Sequence, residues 1–312
     1  MKKYLLGIIC ICLFSLGCKK DQKKGTGPDT KLHSVSYNIG VSQTSAQFLG
    51  NSTGKPKVND AVDPQPLGNL MDILYYNVYD ASGKIVHSIV KHKADPDFAL
   101  LKDNLVAGTY TIVFFGGYKT LYCGKNTLQY DVASYQGTTI PVDPVKFDTF
   151  YKKISLTVTN ADSNQDITLD RIVAKLIINV EDAIPAGATK ITASISPVFK
   201  YLWVNGTVPT SPPVDSEIGY ITLPLAVTGG STNNSVSTLL YTAAIHFSVT
   251  LDCTDATGKS YAHKVIPDIS TEPNKVTLLT GNLFGTTSTH GNAFHITINP
   301  DWNTTTIDIP YH

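Results

Sequence analysis

The sequence predicts an all-β protein that contains two tandem antiparallel β-sandwiches. Two observations support this fold class. Asp, Glu, Lys and Arg make up only 16% of the 312 residues, and the chain is rich in Thr, Ser, Tyr, Val and Ile, which suit a pleated, half-buried surface. Apolar and polar residues alternate in short runs bounded by Gly, Pro, Asn or Asp, and no long segment has helical periodicity. Because the connections are too short for crossover helices, we expect antiparallel sheets.

The N-terminal segment has the pattern of a secretory signal. Lys2 and Lys3 precede an apolar run over residues 4–16, which is shorter than the roughly 20 apolar residues that a membrane-spanning helix needs. The run leads into Ser-Leu-Gly-Cys, which is similar to the bacterial lipobox, where the signal is cut before a cysteine that then carries a lipid. We predict a signal peptide over residues 1–17 and lipid attachment, with palmitate, at Cys18. An ordinary signal peptide with an incidental cysteine is the alternative.

A polar segment follows Cys18. Residues 18–31 are rich in lysine and include Gly-Thr-Gly-Pro, a composition typical of flexible linkers. Lysine and aspartate just after a lipidated cysteine resemble a surface-export signal of Bacteroides-like bacteria. We therefore expect a lipid-anchored outer-membrane protein that faces outwards. Lysines that sit near anionic head groups are the alternative explanation.

Alternating runs divide the rest of the chain into two blocks. A cluster of Pro and Gly at residues 137–150 separates them. We predict an N-terminal sandwich over residues 32–145 and a C-terminal sandwich over residues 146–312, each long enough for about seven or eight strands. The runs that predict strands lie at residues 35–41, 74–86, 110–114, 174–180, 191–195, 245–251 and 294–298.

Charge and cysteine content argue against two functional classes. The 25 basic and 25 acidic residues balance, so the sequence has no electrostatic footprint for nucleic acid. Of the five cysteines, only Cys123 and Cys253 lie in the predicted sandwiches, which is too few for a disulfide scaffold. Two buried thiols and a single bridge between them both fit the sequence.

The sequence contains no recognisable catalytic or metal-binding motif. It has no His-Glu-x-x-His or P-loop pattern and no Gly-x-Ser-x-Gly nucleophile elbow between a predicted strand and a predicted helix, so we expect neither an enzyme nor a cofactor. The segment from Asp162 to Asp166, DSNQD, resembles the beginning of a calcium loop but lacks the loop glycine and the distal glutamate. His246 and His263 are expected to face each other across a hairpin, as residues of an exposed sheet face.

Three segments together resemble the fimbrillin superfamily, which comprises the major, anchor and tip subunits of type V pili in Bacteroides-like bacteria. They are LVAGTYTIVFF at residues 105–115, LDRIVAKLIINVED at residues 169–182 and NKVTLLTGNLF at residues 274–284. The resemblance implies two transthyretin-like sandwiches, a lipidated precursor in the outer membrane, and a function in fimbriae and cell adhesion. It also implies partnership with other fimbrial subunits, in which a neighbour's strand fills the groove left by a removed N-terminal strand.

The first predicted strand is the candidate segment for strand exchange. Its core-facing residues are Val35, Tyr37, Ile39 and Val41. A permanent first strand is the alternative, because every sandwich has one. In the family, stalk subunits are commonly cleaved after an arginine that follows this strand, whereas Arg171 is the single arginine of this chain. We therefore predict an anchor or accessory subunit, with cleavage by another protease at Lys55 or Lys57 as the alternative.

Two further features each have a structural and a functional explanation. The family pattern places an arginine at Arg171, which implies a structural ion pair with a nearby carboxylate. Trp203 and Tyr201 form a candidate glycan platform if they are exposed, and core packing is the alternative for them and for Trp302. The alternative function is therefore a carbohydrate-binding surface lipoprotein of a glycan-uptake system, whose glycan or host ligand the sequence does not identify.

Overall fold

The computed structural model describes residues 30–42, 66–128, 132–135, 148–206, 218–241, 246–284 and 294–299. Cys18, the predicted signal peptide, Lys55, Lys57 and Trp302 lie outside these ranges. Within them the chain is nearly all strand, and a 3-10 turn at Leu67–Asn69 is the one helical element. The described ranges contain no helix with the length and hydropathy needed to cross a membrane. The predicted all-β fold is confirmed.

The first sandwich uses seven of the nine strands that precede residue 172. These nine are β1 (Leu32–Val41), β2 (Ile73–Tyr79), β3 (Ile85–His92), β4 (Leu100–Val106), β5 (Gly108–Gly117), β6 (Leu121–Cys123), β7 (Val132–Tyr135), β8 (Phe150–Val158) and β9 (Ser163–Arg171). The strand order is β3-β2-β5-β8-β9-β1-β4. β8 and β9 pair at only two positions, next to Phe150 and Tyr151, so the sheet folds over there and buries one face against itself.

The first core lies between the two halves of this folded sheet. Residues of β1, β4 and β9 that point inwards meet those of β2, β5 and β8, as period-2 alternation requires. The largest fully buried side chains of this core are Tyr37, Tyr76, Phe114, Phe150, Leu74, Leu101, Ile112 and Leu169. The sequence prediction that Val35, Tyr37 and Ile39 point into a core is therefore matched by their burial.

Nine further strands are described, and eight of them form the second sandwich. These nine are β10 (Val173–Val180), β11 (Lys190–Phe199), β12 (Leu202–Trp203), β13 (Ile218–Ala226), β14 (Asn234–Tyr241), β15 (Phe247–Thr254), β16 (Ser260–Ile269), β17 (Val276–Gly281) and β18 (His295–Asn299). One sheet has the order β14-β10-β17-β18 and the other β13-β11-β15-β16. Their inward faces form a separate aliphatic core that includes Leu176, Ile178, Ile195, Val249 and Leu251.

The two sandwiches have the same topology. The strands β1, β2, β3, β4, β5, β8 and β9 correspond in order to β10, β11, β13, β14, β15, β16 and β17. In both, the first strand pairs parallel with the last matched strand and antiparallel with the fourth. Each sandwich therefore contains one parallel pair that the antiparallel prediction did not include. The second sandwich differs by an added edge strand, β18, which pairs with β17.

Insertions from both halves of the chain meet in a third, three-stranded sheet with the order β12-β7-β6. β6 and β7 lie between β5 and β8, whereas β12 lies between β11 and β13. Leu202 of β12 pairs with Ala133 of β7. The inner side of this sheet packs on outward residues of β2 and β5 in a cluster that includes Tyr75, Val113, Phe115, Leu121 and Leu202. We call this three-stranded sheet the seam, because it joins the two sandwiches.

The strand pairing shifts the division of the chain relative to the sequence prediction. We placed the boundary between residues 145 and 146 because of the Pro and Gly cluster at residues 137–150. β8 and β9 follow that cluster, yet they pair with β5 and β1 of the first sandwich. The division therefore falls at Ile172, between β9 and β10. The cluster separates the inserted strands of the seam from β8, and long-range pairing, which local composition does not encode, assigns β8 and β9 to the first sandwich.

Candidate functional site: the first strand and its groove

β1 is an interior strand, with a hydrogen-bonded neighbour along each edge. It pairs with β4 from Leu32 to Asn38 and with β9 from Val35 to Val41. The Ser42 N–H extends the second ladder by donating to the Leu169 carbonyl at 2.9 Å. Removing β1 would leave a groove lined by two open strand edges, and open edges bind added strands.

The inward face of β1 fills the core with alternate side chains. Val35, Tyr37 and Ile39 are 1%, 0% and 6% exposed, and Val41 is half-buried against the same cluster. The Tyr37 ring is the largest of these side chains. Its centroid lies 5.6 Å from that of Tyr76 and 5.4 Å from that of Phe114. These distances are in the range of favourable aromatic pairs, so Tyr37 is the main anchor of β1.

A polar chain runs from Tyr76, which packs against this anchor, to the sandwich surface. The Tyr76 hydroxyl donates to Asp103 Oδ2 at 3.3 Å, and His87 Nδ1 lies 2.8 Å from Asp103 Oδ1. Burial raises the pKa of Tyr37 to about 12, and Asp103 contributes to the rise. Burial also raises the pKa of Tyr76 well above its usual value, with further contributions from Tyr37 and Asp103. Both tyrosines are therefore neutral hydrogen-bonding groups over the physiological pH range.

The outward face of β1 carries a second set of contacts that sequence analysis missed. Asp162 Oδ1 accepts from the Ser34 backbone N–H at 2.9 Å. Asn164 Oδ1 accepts from the Ser36 hydroxyl at 2.9 Å, and Asp166 Oδ1 accepts from the amide of Asn38 at 2.8 Å. The last two are direct cross-strand pairs in the β1–β9 register. We call Asp162, Asn164 and Asp166 the acceptor ladder.

The acceptor ladder replaces the calcium interpretation of the DSNQD segment. Asn164 and Asp166 lie on one face of the strand β9, and Asp162 directly precedes that strand, so the three side chains follow each other at every second position, whereas a calcium loop must curl its oxygens around one ion. The missing loop glycine was the signal against calcium. The period of two in Asp-x-Asn-x-Asp was the signal for a strand.

Arg171 lies at the division between the two sandwiches. Its guanidinium donates to Asp148 Oδ2 at 2.9 Å and to Asn274 Oδ1 at 2.9 Å, and it lies 5.4 Å from the centre of the Phe150 ring. The side chain is 4% exposed. The structure thus contains an ion pair of the predicted kind. Arg171 ends β9 in the first sandwich rather than lying within the second, and its partner Asn274 comes from the connection before β17.

Trp203 and Tyr201 lie at the seam. Their rings contact edge to face, with centroids 5.4 Å apart, and both side chains are half-buried. Alternation along β12 places Trp203 on the outer side of the seam, because its neighbour Leu202 is buried on the inner side. Tyr122 of β6 projects from the same outer side and is 54% exposed. The two predicted residues are therefore neither fully buried nor fully exposed.

The described thiols and histidines form no common centre. Cys123 and Cys253 do not pair with each other, and they are buried in separate clusters. Burial raises the pKa of the Cys253 thiol. The prediction that His246 and His263 face each other was wrong. His246 pairs with Asp268 and His263 pairs with Asp252. Within the described ranges, no three His, Cys, Asp or Glu side chains are placed to hold a metal ion.

Solved structures with this fold include fimbrial proteins and adhesin candidates. The fimbrial anchor protein Mfa2 from Porphyromonas gingivalis superposes with a TM-score of 0.52 at 13% identity, over 86% of this chain and 98% of that chain. A Bacteroides ovatus protein proposed to be an adhesin superposes with a TM-score of 0.51 at 12% identity, over 76% of this chain and 83% of that chain. At this identity the likeness establishes a shared fold, in agreement with the fimbrillin resemblance of the sequence.

Sequence comparison places the chain in a family. No curated protein matches it. The model of a family of unknown function, DUF6562, matches residues 76–310 of the 312. The match begins within β2 and continues through β18, so it covers the seam, Arg171 and the acceptor ladder. The protein therefore belongs to the DUF6562 family.

Proposed function

We propose that the protein is a non-enzymatic, lipid-anchored subunit of a pilus-type fibre on the outer surface of the outer membrane. In this proposal it is an anchor or accessory subunit that joins other fimbrial subunits by β-strand complementation, in which a neighbour's strand displaces β1 from its groove while β1 stays covalently attached to the lipid-bearing chain. The interior position of β1 carries the proposal. A strand that pairs along both edges and plugs a core with alternate side chains is the element that a neighbour's strand can replace.

The contacts of β1 define what a replacing strand must supply. Val35, Tyr37 and Ile39 are almost completely buried, and burial of each such side chain contributes about 1.5–3 kcal/mol. A groove without a strand would also leave the backbone groups of β4 and β9 unpaired. An empty groove is therefore unstable, and occupancy by some strand, from the chain itself or from a neighbour, is strongly favoured.

The shared fold with the fimbrial anchor Mfa2 supports the same assignment. The lipid on Cys18 and the outward orientation are parts of the proposal that come from the sequence. Arg171 supports the anchor or accessory role, because the single arginine ends β9 and is buried in an ion pair. An arginine-specific protease that cut there would split the first sandwich from the second rather than release β1 alone.

The test uses sheared surface material and outer membranes from the native bacterium. Both fractions are run on SDS gels with and without boiling and probed for this protein. Strand-complemented fibres are kinetically stable, so we expect a ladder in the unboiled lanes that collapses to monomer on heating. A single monomer band in the membrane fraction, with nothing in the sheared fraction, would contradict fibre incorporation.

The anchor role and the lipid are tested on the same material. Mass spectrometry of the mature protein is expected to find Cys18 acylated and continuous with residues 33–41. A mature chain that begins after residue 42 would show that β1 is removed and would replace the anchor role with a stalk role. Labelling with a fatty-acid probe is expected to be lost in Cys18→Ala, and unchanged labelling would refute lipidation at that residue.

One observation favours a second candidate function, carbohydrate binding at the seam. Tyr122 and Trp203 project from the same outer side of this sheet, on strands that flank β7. Tyr and Trp combine an apolar ring with a hydrogen-bonding group, and this combination suits a surface that binds carbohydrate. A glycan array with the full mature chain tests this function, and binding that disappears in both Tyr122→Ala and Trp203→Ala while the fold is retained would support it.

A further inference from the structure

We infer that the acceptor ladder on β9 selects the chemistry of the strand that occupies the groove. This inference rests on the proposed strand complementation and adds the identity of the partner strand. The structure points to a strand that runs parallel to β9, buries alternate apolar side chains around a central aromatic ring, and presents small hydrogen-bond donors or basic groups on its outward side.

The inner pockets alone do not specify such a partner. Every antiparallel or parallel strand offers the same backbone edges, and alternating apolar residues are common to all sandwich strands. Tyr37 narrows the choice, because its ring lies between Tyr76 and Phe114. A shift of two residues would place Val35 or Ile39 in this ring site, so the inner face specifies the register of the strand.

The outward face adds a requirement for charge and donors. A carboxylate accepts hydrogen bonds and cannot donate them when ionised. Asp166, whose carboxylate is exposed, therefore favours a donor at the position of Asn38, which it meets at 2.8 Å. Within the described part of the chain, neither Asp166 nor Asp162 has a basic partner in an ion pair. A basic side chain at position 38 would be attracted, and an acidic one would be repelled.

The neighbouring outward position has different surroundings. Ser36 lies between Lys102 of β4 and Asn164 of β9 in the pairing registers. Its hydroxyl donates to Asn164 Oδ1 at 2.9 Å. An amide such as Asn164 can present either its oxygen or its nitrogen, so this position tolerates donors and acceptors of small size. The strict requirement is therefore at position 38, directly after the aromatic residue.

The expected partner segment therefore has a defined pattern, in which an apolar residue, a small polar residue, an aromatic residue, a donor or basic residue and an apolar residue follow each other. β1 itself supplies this pattern as Val35-Ser36-Tyr37-Asn38-Ile39. The equivalent interior strand of the second sandwich, β10, has one outward side-chain bond of this kind, between Asn179 Nδ2 and Thr280 Oγ1 at 3.2 Å. The acceptor ladder is thus a feature of the groove around β1 and not of the shared topology.

The test measures whether added peptides replace β1 in the full mature chain. A recognition sequence for a specific protease is placed between residues 50 and 57, so that cutting leaves β1 bound without a covalent link to the remaining strands. Fluorescent peptides that correspond to residues 31–42 are then added, and their incorporation is followed by anisotropy. The set comprises the native peptide and its Asn38→Asp, Asn38→Lys and Gly40→Asp variants.

Gly40→Asp is the matched control. It introduces the same charge at an outward position of the same strand, opposite Thr168 rather than a carboxylate. A Cβ at Gly40 would have no atom within 4 Å, so the added side chain has space. We expect the native and Asn38→Lys peptides to be incorporated, Asn38→Asp to bind about tenfold more weakly, and Gly40→Asp to remain within about threefold of the native peptide.

A charge reversal in the protein completes the design. Asp166→Lys is expected to invert the order, so that the Asn38→Asp peptide binds more tightly than the Asn38→Lys peptide. Equal losses for Asn38→Asp and Gly40→Asp, or no inversion in Asp166→Lys, would overturn selection by the acceptor ladder and leave strand complementation intact. Failure of every peptide, including the native one, would overturn both this inference and the proposed function.

Discussion

β1 and β10 occupy the same position in two sandwiches of the same topology, but they are attached to the chain differently. β10 follows β9 after the single residue Ile172, and the connection to β11 spans residues 181–189. After β1, residues 43–65 precede the next described segment. β10 therefore lies between two described strands that are close to it in sequence, whereas the nearest described strand to β1 along the chain is β2, which begins at Ile73.

The side chains differ in the same sense. The buried residues on the inner face of β10 are aliphatic, such as Leu176 and Ile178, whereas β1 buries an aromatic anchor and the imidazole of His33. A strand that is always attached needs only to fill space. A strand that must be recognised needs features that distinguish it from other apolar strands. The two strands thus differ in their distance from the next described strand, in the composition of the inner face and in the outward polar contacts, and the proposed strand exchange accounts for these differences.

The largest expected effect comes from emptying the inner face of each first strand. Tyr37→Ala should lower the free energy of unfolding by about 3–5 kcal/mol and Ile178→Ala by about 2–5 kcal/mol, because both leave cavities in a core. Urea unfolding measures both. In a chain cut between residues 50 and 57, the loss from Tyr37→Ala should grow on dilution, since β1 can then dissociate. A loss that is independent of concentration would contradict the difference in attachment.

The next effect tests whether the two sandwiches are coupled at their division. Arg171→Ala leaves Asp148 without its ion-pair partner, and breaking a buried pair typically costs about 3–5 kcal/mol. Asp148 is 25% exposed, so we expect about 3 kcal/mol by thermal unfolding. Arg171→Lys keeps the charge but not the geometry that reaches both Asp148 and Asn274, and it should recover about half of the loss. A change below about 0.5 kcal/mol in Arg171→Ala would show that Arg171 does not couple them.

A smaller effect, a loss of stability at alkaline pH, distinguishes the inner face of β1 from that of β10. The pKa of Tyr37 is raised from 10.0 to about 12 in the folded protein. The unfolded chain therefore loses its proton first, and the stability that Tyr37 contributes is fully present below pH 10 and is lost as the pH rises through 12. Tyr37→Phe should reduce this alkaline loss, measured as urea midpoints between pH 8 and 12. An identical alkaline loss in Tyr37→Phe would contradict the assignment to this hydroxyl.

The smallest effect concerns a feature that the sandwiches share. The β2–β3 and β15–β16 turns read Asp-Ala-Ser-Gly-Lys and Asp-Ala-Thr-Gly-Lys. In each, the aspartate accepts from the same three donors, which are the backbone N–H and hydroxyl of the Ser or Thr and the backbone N–H of the Lys. Gly83 and Gly258 have φ values of 79° and 88°. Gly83→Ala and Gly258→Ala should each cost about 1 kcal/mol by urea unfolding, because a Cβ disfavours this conformation. Unequal costs would show that the sandwiches respond differently even where their geometry agrees.

The sequence predicted the strands better than their partners. Alternation located β1, β5, β10, β11 and β15, because period-2 patterning is local and follows from burial of one face. The parallel pairing of β1 with β9 joins residues more than a hundred positions apart, and no local pattern encodes such a register. The same limit explains why the predicted division at residues 145 and 146 assigned β8 and β9 to the second sandwich, whereas they pair within the first.

Only the inner face of β1 in the candidate site was predictable from the sequence. The inner face of β1 was identified because apolar alternation signals burial. The outward contacts were missed, because Ser36 and Asn38 are ordinary surface residues until Asn164 and Asp166 are known to lie beside them. Arg171 was recognised as an ion-pair residue, but its partners Asp148 and Asn274 come from distant segments.

The direction of β1 determines how the molecule would resist being pulled. The backbone bonds of β1 to β4 and β9 lie across the strand axis, so a force applied at residue 30 along that axis loads them together in shear rather than one after another. The first sandwich is connected to the second covalently through Ile172 and by the pairing of β7 with β12 in the seam. A tether that ends in β1 would therefore be held as a mechanical clamp, in which rupture requires many bonds to fail at once.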